Sequence, residues 1–306
     1  MQNLSKQLQQ LMNRRGANAQ YDNLMRIVLG DKQVLQFLND HESELAESAV
    51  DRGAAKLYEY MVQRGKVERG ETPFAPGFEP TLTVSNHQID VEYRPTAAKL
   101  DADKLRAKKN LVTALNMPKD IAGATLNGYE QTTERMDAIL AATDFTVGLR
   151  DGKRVTGMYL YGPFGVGKTY LLGAVANELA DWQIATTLVH VPTFAVEMKA
   201  AIGNNNVLEQ VDAIKAAPVL MLDDIGAESF SPWFRDEVLG VILQYRMQEQ
   251  LPTCFSSNKS MKELRDYLAG IDRGNEEGVK ADRIMQRIRY LASEIELGGA
   301  SRREQN

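Results

Sequence analysis

Residues 162–169 read Gly-Pro-Phe-Gly-Val-Gly-Lys-Thr and fit the pattern G-x-x-x-x-G-K-[ST]. No other feature constrains the fold of this chain as strongly. The glycines let the backbone curl until several N–H groups face one point. Gly167-Lys168 opens a helix, and the positive end of a helix favours an anion. Lys168 would reach the outer phosphates of a nucleoside triphosphate, and the Thr169 hydroxyl would ligate Mg²⁺. Gly162, Pro163, Phe164, Gly165, Val166, Gly167, Lys168, Thr169 and Tyr170 are therefore the expected binding set for ATP with Mg²⁺.

Such a loop works only between a strand and a helix, and both are legible. Met158-Tyr159-Leu160-Tyr161 is a short apolar strand. Leu171, Leu172, Val175 and Leu179 then line one helical face. Around them, apolar strands at 156–161, 186–191, 218–222, 253–256 and 293–297 alternate with helical patterns at 130–143, 168–180, 193–202, 206–217 and 233–249. That alternation predicts an α/β domain with a parallel sheet covered by helices on both faces.

Pro218-Val219-Leu220-Met221-Leu222-Asp223-Asp224 is an apolar strand ending in two carboxylates. In a parallel sheet, ligands sit at the carboxyl ends of the strands, so this end meets the phosphate loop. Asp223 is expected to hold Mg²⁺ through its water shell, and Asp224 to orient or polarise a water. The strand at 253–256 turns polar at Ser257-Asn258. An amide there could position water against the γ-phosphate or simply mark a turn; spacing alone does not decide. Near the end, Arg283 and Arg287 share one side of a helix whose buried stripe is Ile284, Ile288 and Leu291. These arginines are either solvated or act on a nucleotide site.

The first 62 residues read as short amphipathic helices. Leu4, Leu8, Leu11 and Met12 recur at helical spacing, as do Val34, Leu35 and Leu38, and Leu57, Tyr58 and Met61. Gln63 to Pro80 is turn-rich. Segments 81–84 and 88–93 alternate as strands of a hairpin do, with Ser85-Asn86-His87 between them. Residues 97–116 read as a charged helical connector, with Arg106 to Lys109 on a solvated face. The expected domains are thus 1–96, a connector at 97–124, and 125–306.

Composition narrows the functional classes. A formal net charge of −5 gives no support for bulk electrostatic binding to nucleic acid. Cys254 is the only cysteine, so neither an internal disulfide nor a cysteine-based zinc site is expected. No apolar run suits a membrane span, and the polar N-terminus has no signal-peptide core, so a cytoplasmic protein is expected.

YGPFGVGKTYLLGAVANELA, VLMLDDIGAES, CFSSN and the ADRIMQRIRYLA…GGASRR tail together resemble the AAA+ ATPases of the DnaC/IstB type. The helical N-terminal region and FEPTLTVSNHQIDVEYRP resemble the bacterial helicase loaders among them. The resemblance covers nearly the whole chain and is most specific from 155 to 260. It implies a P-loop AAA+ domain with no C-terminal helical lid, and an N-terminal domain that grips the hexameric replicative helicase. It further implies single-stranded DNA binding by the ATPase domain, contacts with other primosome proteins, and self-association within the complex.

By the same resemblance, Asn258 is a sensor 1 residue reading the γ-phosphate. Arg287 is an arginine finger for a neighbour's nucleotide, and Arg303 is the sensor 2 arginine, with Arg302 as its rival. DNA contact is looked for around Phe194, Lys199 and Lys215. Two features depart from the family. Related N-terminal domains can carry a cysteine-built zinc site, but Gln63 to Phe78 contains no cysteine and His87 has no thiolate partner. No zinc site is expected there, with Phe74, Phe78 and Tyr93 packing instead. Asp224 stands where many AAA+ proteins have glutamate, which implies slow or partner-dependent turnover suited to a switch. A transposition-helper ATPase of the IstB kind and a small-molecule P-loop kinase are the competing readings.

Overall fold

The computed structural model describes residues 19–204, 206–227, 230–271 and 276–301. The chain divides between Leu105 and Arg106 into two compact units. The first contains α1 (Ala19–Val28), α2 (Lys32–Asp40), α3 (Ala49–Glu68) and a hairpin of β1 (Phe78–Ser85) and β2 (Gln88–Pro95). Asp31 starts α2: its carboxylate accepts from the backbone N–H of Gln33 (3.0 Å) and Val34 (3.1 Å), satisfying donors that the first helical turn leaves open. The same carboxylate receives the Arg64 guanidinium from α3, which holds its pKa below the ordinary carboxylate value. Val28, Val34, Leu38 and Leu57 are sealed in the core these helices share. The leucines at 4, 8 and 11 and Met12 lie outside the described residues.

Three details differ from the sequence reading. Helix α3 runs on to Glu68, past the turn expected at Gln63. Arg64 pairs with Asp31 and Glu68 there, so helical geometry keeps both contacts, and the chain turns only at Gly70 (φ 69°). The hairpin turns on two residues, Asn86 and His87, both left-handed at φ 50° and 60°. A two-residue loop with this geometry matches the twist of its strands. The aromatic packing is not the core. Phe74 is 79% exposed, and the Tyr93 hydroxyl donates to Glu59 (2.8 Å). The side chain that seats the hairpin is Ile89, over Gly53 of α3, where an added Cβ would lie 2.9 Å from the Cβ of Ile89.

Helix α4 (Ala97–Leu111) buries no side chain. It stops five residues short of the expected end, because Val112–Leu115 forms a strand, β3, parallel to β5 (Thr186–His190). Val112 and Thr113 are β-branched, which disfavours helix continuation, and the open edge of β5 supplies backbone partners. The six-stranded sheet has the order β3-β5-β6-β7-β4-β8, with β4 at Gly157–Tyr161, β6 at Val219–Asp223, β7 at Thr253–Ser257 and β8 at Ala292–Glu296. Every recorded pairing in it is parallel.

Side chains alternate across the sheet as the two-residue period of a strand requires. Met158, Leu160, Val219, Met221 and Cys254 face α5 (Met136–Arg150) and α6 (Lys168–Asp181). Tyr159, Leu220, Leu222 and Phe255 face the opposite layer. That layer is built from α7 (Val191–Ala201), α8 (Val207–Lys215), α9 (Gly240–Gln248), α10 (Met261–Ala269) and α11 (Glu277–Leu291). A π-helical stretch, Phe234–Leu239, leads into α9. No helix among the described residues is long and apolar enough to cross a membrane.

Arg246 locks this layer. It is fully buried on α9, donating to Thr253 Oγ1 (2.7 Å) and to the carbonyls of Lys215 (2.9 Å), Ala217 (2.7 Å) and Pro252 (2.6 Å). Arg246→Met leaves those acceptors buried without a donor. A loss of roughly 2–4 kcal/mol is expected in urea unfolding; an unchanged midpoint would show the bonds to be dispensable.

Candidate nucleotide site

Strand β4 runs straight into Gly162, and α6 begins at Lys168 with Gly167 as its N-cap at φ 101°. Gly165 also lies in the left-handed region, at φ 79°. A Cβ on Gly162 would fall 2.1 Å from the Leu297 carbonyl oxygen, and one on Gly165 would fall 2.3 Å from Ser301 Oγ. The segment after β8 therefore lies directly against the loop. It is tied there by Arg135, itself buried, which donates to Glu130 Oε2 (2.6 Å) and the Ala300 carbonyl (3.3 Å). The neighbouring Tyr129 ring fills the space beside Gly167.

Lys168 is 7% exposed. Its Nζ donates to the carbonyls of Gly162 (2.8 Å) and Pro163 (2.8 Å) and to Asn258 Oδ1 (2.7 Å). Asn258 in turn donates from Nδ2 to Asp224 Oδ1 (3.1 Å). One amide thus bridges the loop lysine and the second aspartate. Asp224 has φ 61°, a region that Asp and Asn enter more readily than other side chains. That gives a backbone reason for aspartate rather than glutamate here.

Asp223 is 2% exposed at the end of a central strand. Burial raises its pKa, while hydrogen bonds from Ser256 and Thr169 act in the opposite direction. Thr169 Oγ1 lies 3.0 and 3.1 Å from its two carboxylate oxygens, and Ser256 Oγ donates at 2.5 Å. Ser256 also accepts from the Asp224 backbone N–H (2.9 Å), so one hydroxyl fixes both acids. Ser256 carries no distinct signal in the sequence, since the strand Thr-Cys-Phe-Ser-Ser also holds the hydroxyls of Thr253 and Ser257. A cavity of about 210 Å³ opens beside these groups, lined by Pro118, Ile121, Phe164, Tyr170, Asp224 and Asn258 among others.

The donor set fits a magnesium-bound triphosphate. A curled backbone and a helix N-terminus offer N–H groups to phosphate. A hydroxyl and a buried carboxylate side by side are the hard oxygen ligands that Mg²⁺ takes. Thr169 and Asp223, in contact at 3.0 Å, are the residues that could hold such a metal.

Arg287 is not brought into this cavity. Its Nη1 donates to the Gly240 carbonyl (3.1 Å), and it lines a separate groove with Lys215, Asp236 and Tyr245. Burial, and then the adjacent Arg283, lower its pKa. Arg302 and Arg303 lie outside the described residues. Phe194 cannot meet DNA: it is 3% exposed and packs edge-on against Phe234 at 5.8 Å. Its apolar ring belongs to the inward stripe of α7, whereas Lys199 on the same helix is exposed.

A glycine loop capping a helix, opposite a buried carboxylate at a strand end, defines a P-loop nucleotide-binding domain with an AAA+-like fold. Comparison with known proteins extends this. Residues 1–93 match the family described as primosomal protein DnaI N-terminus, and residues 97–306 match the IstB-like ATP binding protein family. The replicative helicase loader DnaI of Bacillus subtilis (strain 168) is 36% identical over 309 aligned positions, covering 99% of each chain. A crystal structure of DnaI superposes with a TM-score of 0.56 at 45% identity, covering 64% of this chain and 98% of that one. A candidate primosome component from Streptococcus pyogenes serotype M3 gives 0.55 at 41% identity, covering 64% and 97%. The chain belongs to the DnaI family.

Lys168→Ala removes the cation at the centre of the site. Affinity for a fluorescent ATP analogue is expected to fall on the order of a hundredfold or more, with the far-UV circular dichroism unchanged. Retained affinity would mean that the triphosphate is held elsewhere.

Proposed function

We propose that this chain is an ATP-controlled loader of the replicative DNA helicase. The observation that carries the reading is the union in one chain of a DnaI-type N-terminal module and a site whose lysine, asparagine and aspartate form one hydrogen-bonded line. Residues 1–96 serve as the helicase-binding domain and 125–306 as the ATPase domain. Of the expected connector 97–124, the helix up to Leu111 keeps that role, while 112–124 joins the ATPase domain through β3 and the cavity residues Pro118 and Ile121. An IstB-like transposition helper would share the second part but has no use for the first.

Magnesium, when bound, neutralises triphosphate charge and polarises the phosphoryl oxygens. The protein's own groups do the rest. Thr169 and Asp223 hold the metal, and Gly162 through Tyr170 bind the nucleotide. Lys168 exchanges carbonyl and amide partners for phosphate oxygens. Asp224 orients or polarises a water whose oxygen bonds to the γ-phosphorus as the bond from that phosphorus to the bridging oxygen breaks and ADP leaves, the water's protons passing to the phosphate product and to solvent. Asn258 touches both Lys168 and Asp224, so a change at either alters what the amide bonds. That makes it the reader of the phosphate end, as expected of a sensor. The direct route from occupancy to protein geometry suits a switch better than a motor.

Arg287, absent from its own cavity, serves a neighbouring copy's nucleotide when chains self-associate on the helicase, and Arg303 acts as the second sensor. Single-stranded DNA and other primosome proteins are further partners, with Lys199 and Lys215 as DNA contacts, in the cytoplasm.

Two measurements test this. A fragment of residues 1–105 is expected to capture the replicative helicase in a pull-down without ATP; capture only by residues 106–306 would reverse the assignment. In the helicase complex, Arg287→Ala and Lys168→Ala subunits, each inactive alone, are expected to recover about a quarter to a half of turnover when mixed, since a site can form from one intact face of each. Mixtures as inactive as either variant would remove Arg287 from the shared site.

A further inference from the structure

Beside Lys168 and Thr169 the cavity is lined by the strand ends that carry Asp224, Ser256 and Asn258. Pro118 and Ile121 line the same cavity, and Ile121 meets α6 at Gly173 and Asn177, roughly one to two turns past Lys168 and Thr169. That places them as a wall beside a nucleoside whose phosphates sit at the helix N-terminus. This wall comes from a segment with little structure of its own, a single 3₁₀ turn at Lys119–Gly123. The hydrogen-bond geometry of such a turn is poorer than that of an α-helix, so contacts from outside it bear on its position.

Those contacts come from α6. Asn177 Nδ2 donates to the carbonyls of Ile121 (3.0 Å) and Ala124 (2.8 Å), clamping both ends of the turn's exit onto the helix. Gly173, one turn earlier, gives the wall its closeness: an added Cβ would lie 2.8 Å from the Ile121 Cβ. Tyr170, a further turn back, presents its hydroxyl to the Thr125 backbone N–H at 3.4 Å and stacks on Tyr129 at 6.0 Å. Positions 170, 173 and 177 lie on one face of a helix. The helix that starts at the phosphate site thus also carries the groups that position the base wall.

We propose that Asn177 is a positioning residue for the base of the nucleotide. It fixes the turn that carries Ile121 against α6, the helix whose N-terminus holds the phosphates. It consumes the Ile121 and Ala124 carbonyls, so the wall meets a flat aromatic base with apolar surface. The inference rests on the nucleotide reading above and adds a division of the site into two independently built ends: phosphate recognition by the loop, base recognition by a clamped turn. Two hydrogen bonds formed by one side chain set the scale of the effect.

The test separates the two ends with a ligand that has no base. In the full chain, affinities for ATP and for inorganic tripolyphosphate, both with Mg²⁺, are measured by displacement of a fluorescent nucleotide. Asn177→Leu, which keeps helix and volume but cannot donate, is expected to weaken ATP about tenfold and leave tripolyphosphate within about twofold of wild type. Ile121→Ala, which shortens the wall and leaves the clamp intact, is expected to show the same selective loss. Unchanged ATP affinity in Asn177→Leu, or an equal loss for both ligands, overturns the proposal. A wild-type chain that binds neither ligand overturns the nucleotide reading itself. If Asn177→Leu does not fold, Asn177→Asp, which keeps the side chain's size but offers no N–H to the two carbonyls, is read by the same two affinities and the same two outcomes.

Discussion

A carboxylate buried at the end of a central strand is costly unless something answers its charge. Asp223 is such a group, and much of the second unit is arranged around it. The strand that delivers it is sealed on both faces, so the acid cannot move toward water. Two hydroxyls, Thr169 and Ser256, answer it in part. A divalent cation beside Thr169 would answer the remainder, and Thr169 follows directly on the lysine that opens α6. One buried acid and the helix N-terminus facing it would thereby set where such a cation and a phosphate sit.

That constraint explains the surrounding architecture. The loop must be glycine at 162 and 165 because Leu297 and Ser301 press against it. The tail after β8 is held there by Arg135, so the carboxyl-terminal segment and the phosphate loop share a contact. Asn258 closes the other side by joining Lys168 to Asp224. A nucleotide's phosphate end is therefore felt at once by two strand ends and a loop.

Much of this was legible in the sequence, for physical reasons. β4 and β6 are continuous apolar runs, as burial on both faces demands, whereas the edge strand β8, Ala-Ser-Glu-Ile-Glu, alternates. The loop and Asp223 were legible because phosphate and metal chemistry leave little freedom in residue type or spacing. Strand β3 was not: Val112-Thr113-Ala114-Leu115 follows a charged helix without a break, and only the open edge of β5 makes it a strand. The extension of α3 to Glu68 depends on Arg64 meeting Asp31, a pairing across more than thirty residues that no local pattern records. Phe194 was read as a surface aromatic, yet its helix faces Phe234. Asn177 and Ser256 were passed over because each works through a partner distant in sequence. A lone polar residue on a helix or strand carries no sign of what lies opposite.

The most direct measurement is calorimetric titration of the full chain with ATP, carried out with Mg²⁺ and again with the metal chelated. Saturable heat with magnesium, weakened about tenfold or more without it, is the expected result. Affinity indifferent to the metal would contradict the role given to Asp223 and Thr169, and no heat in either titration would contradict the site as a whole.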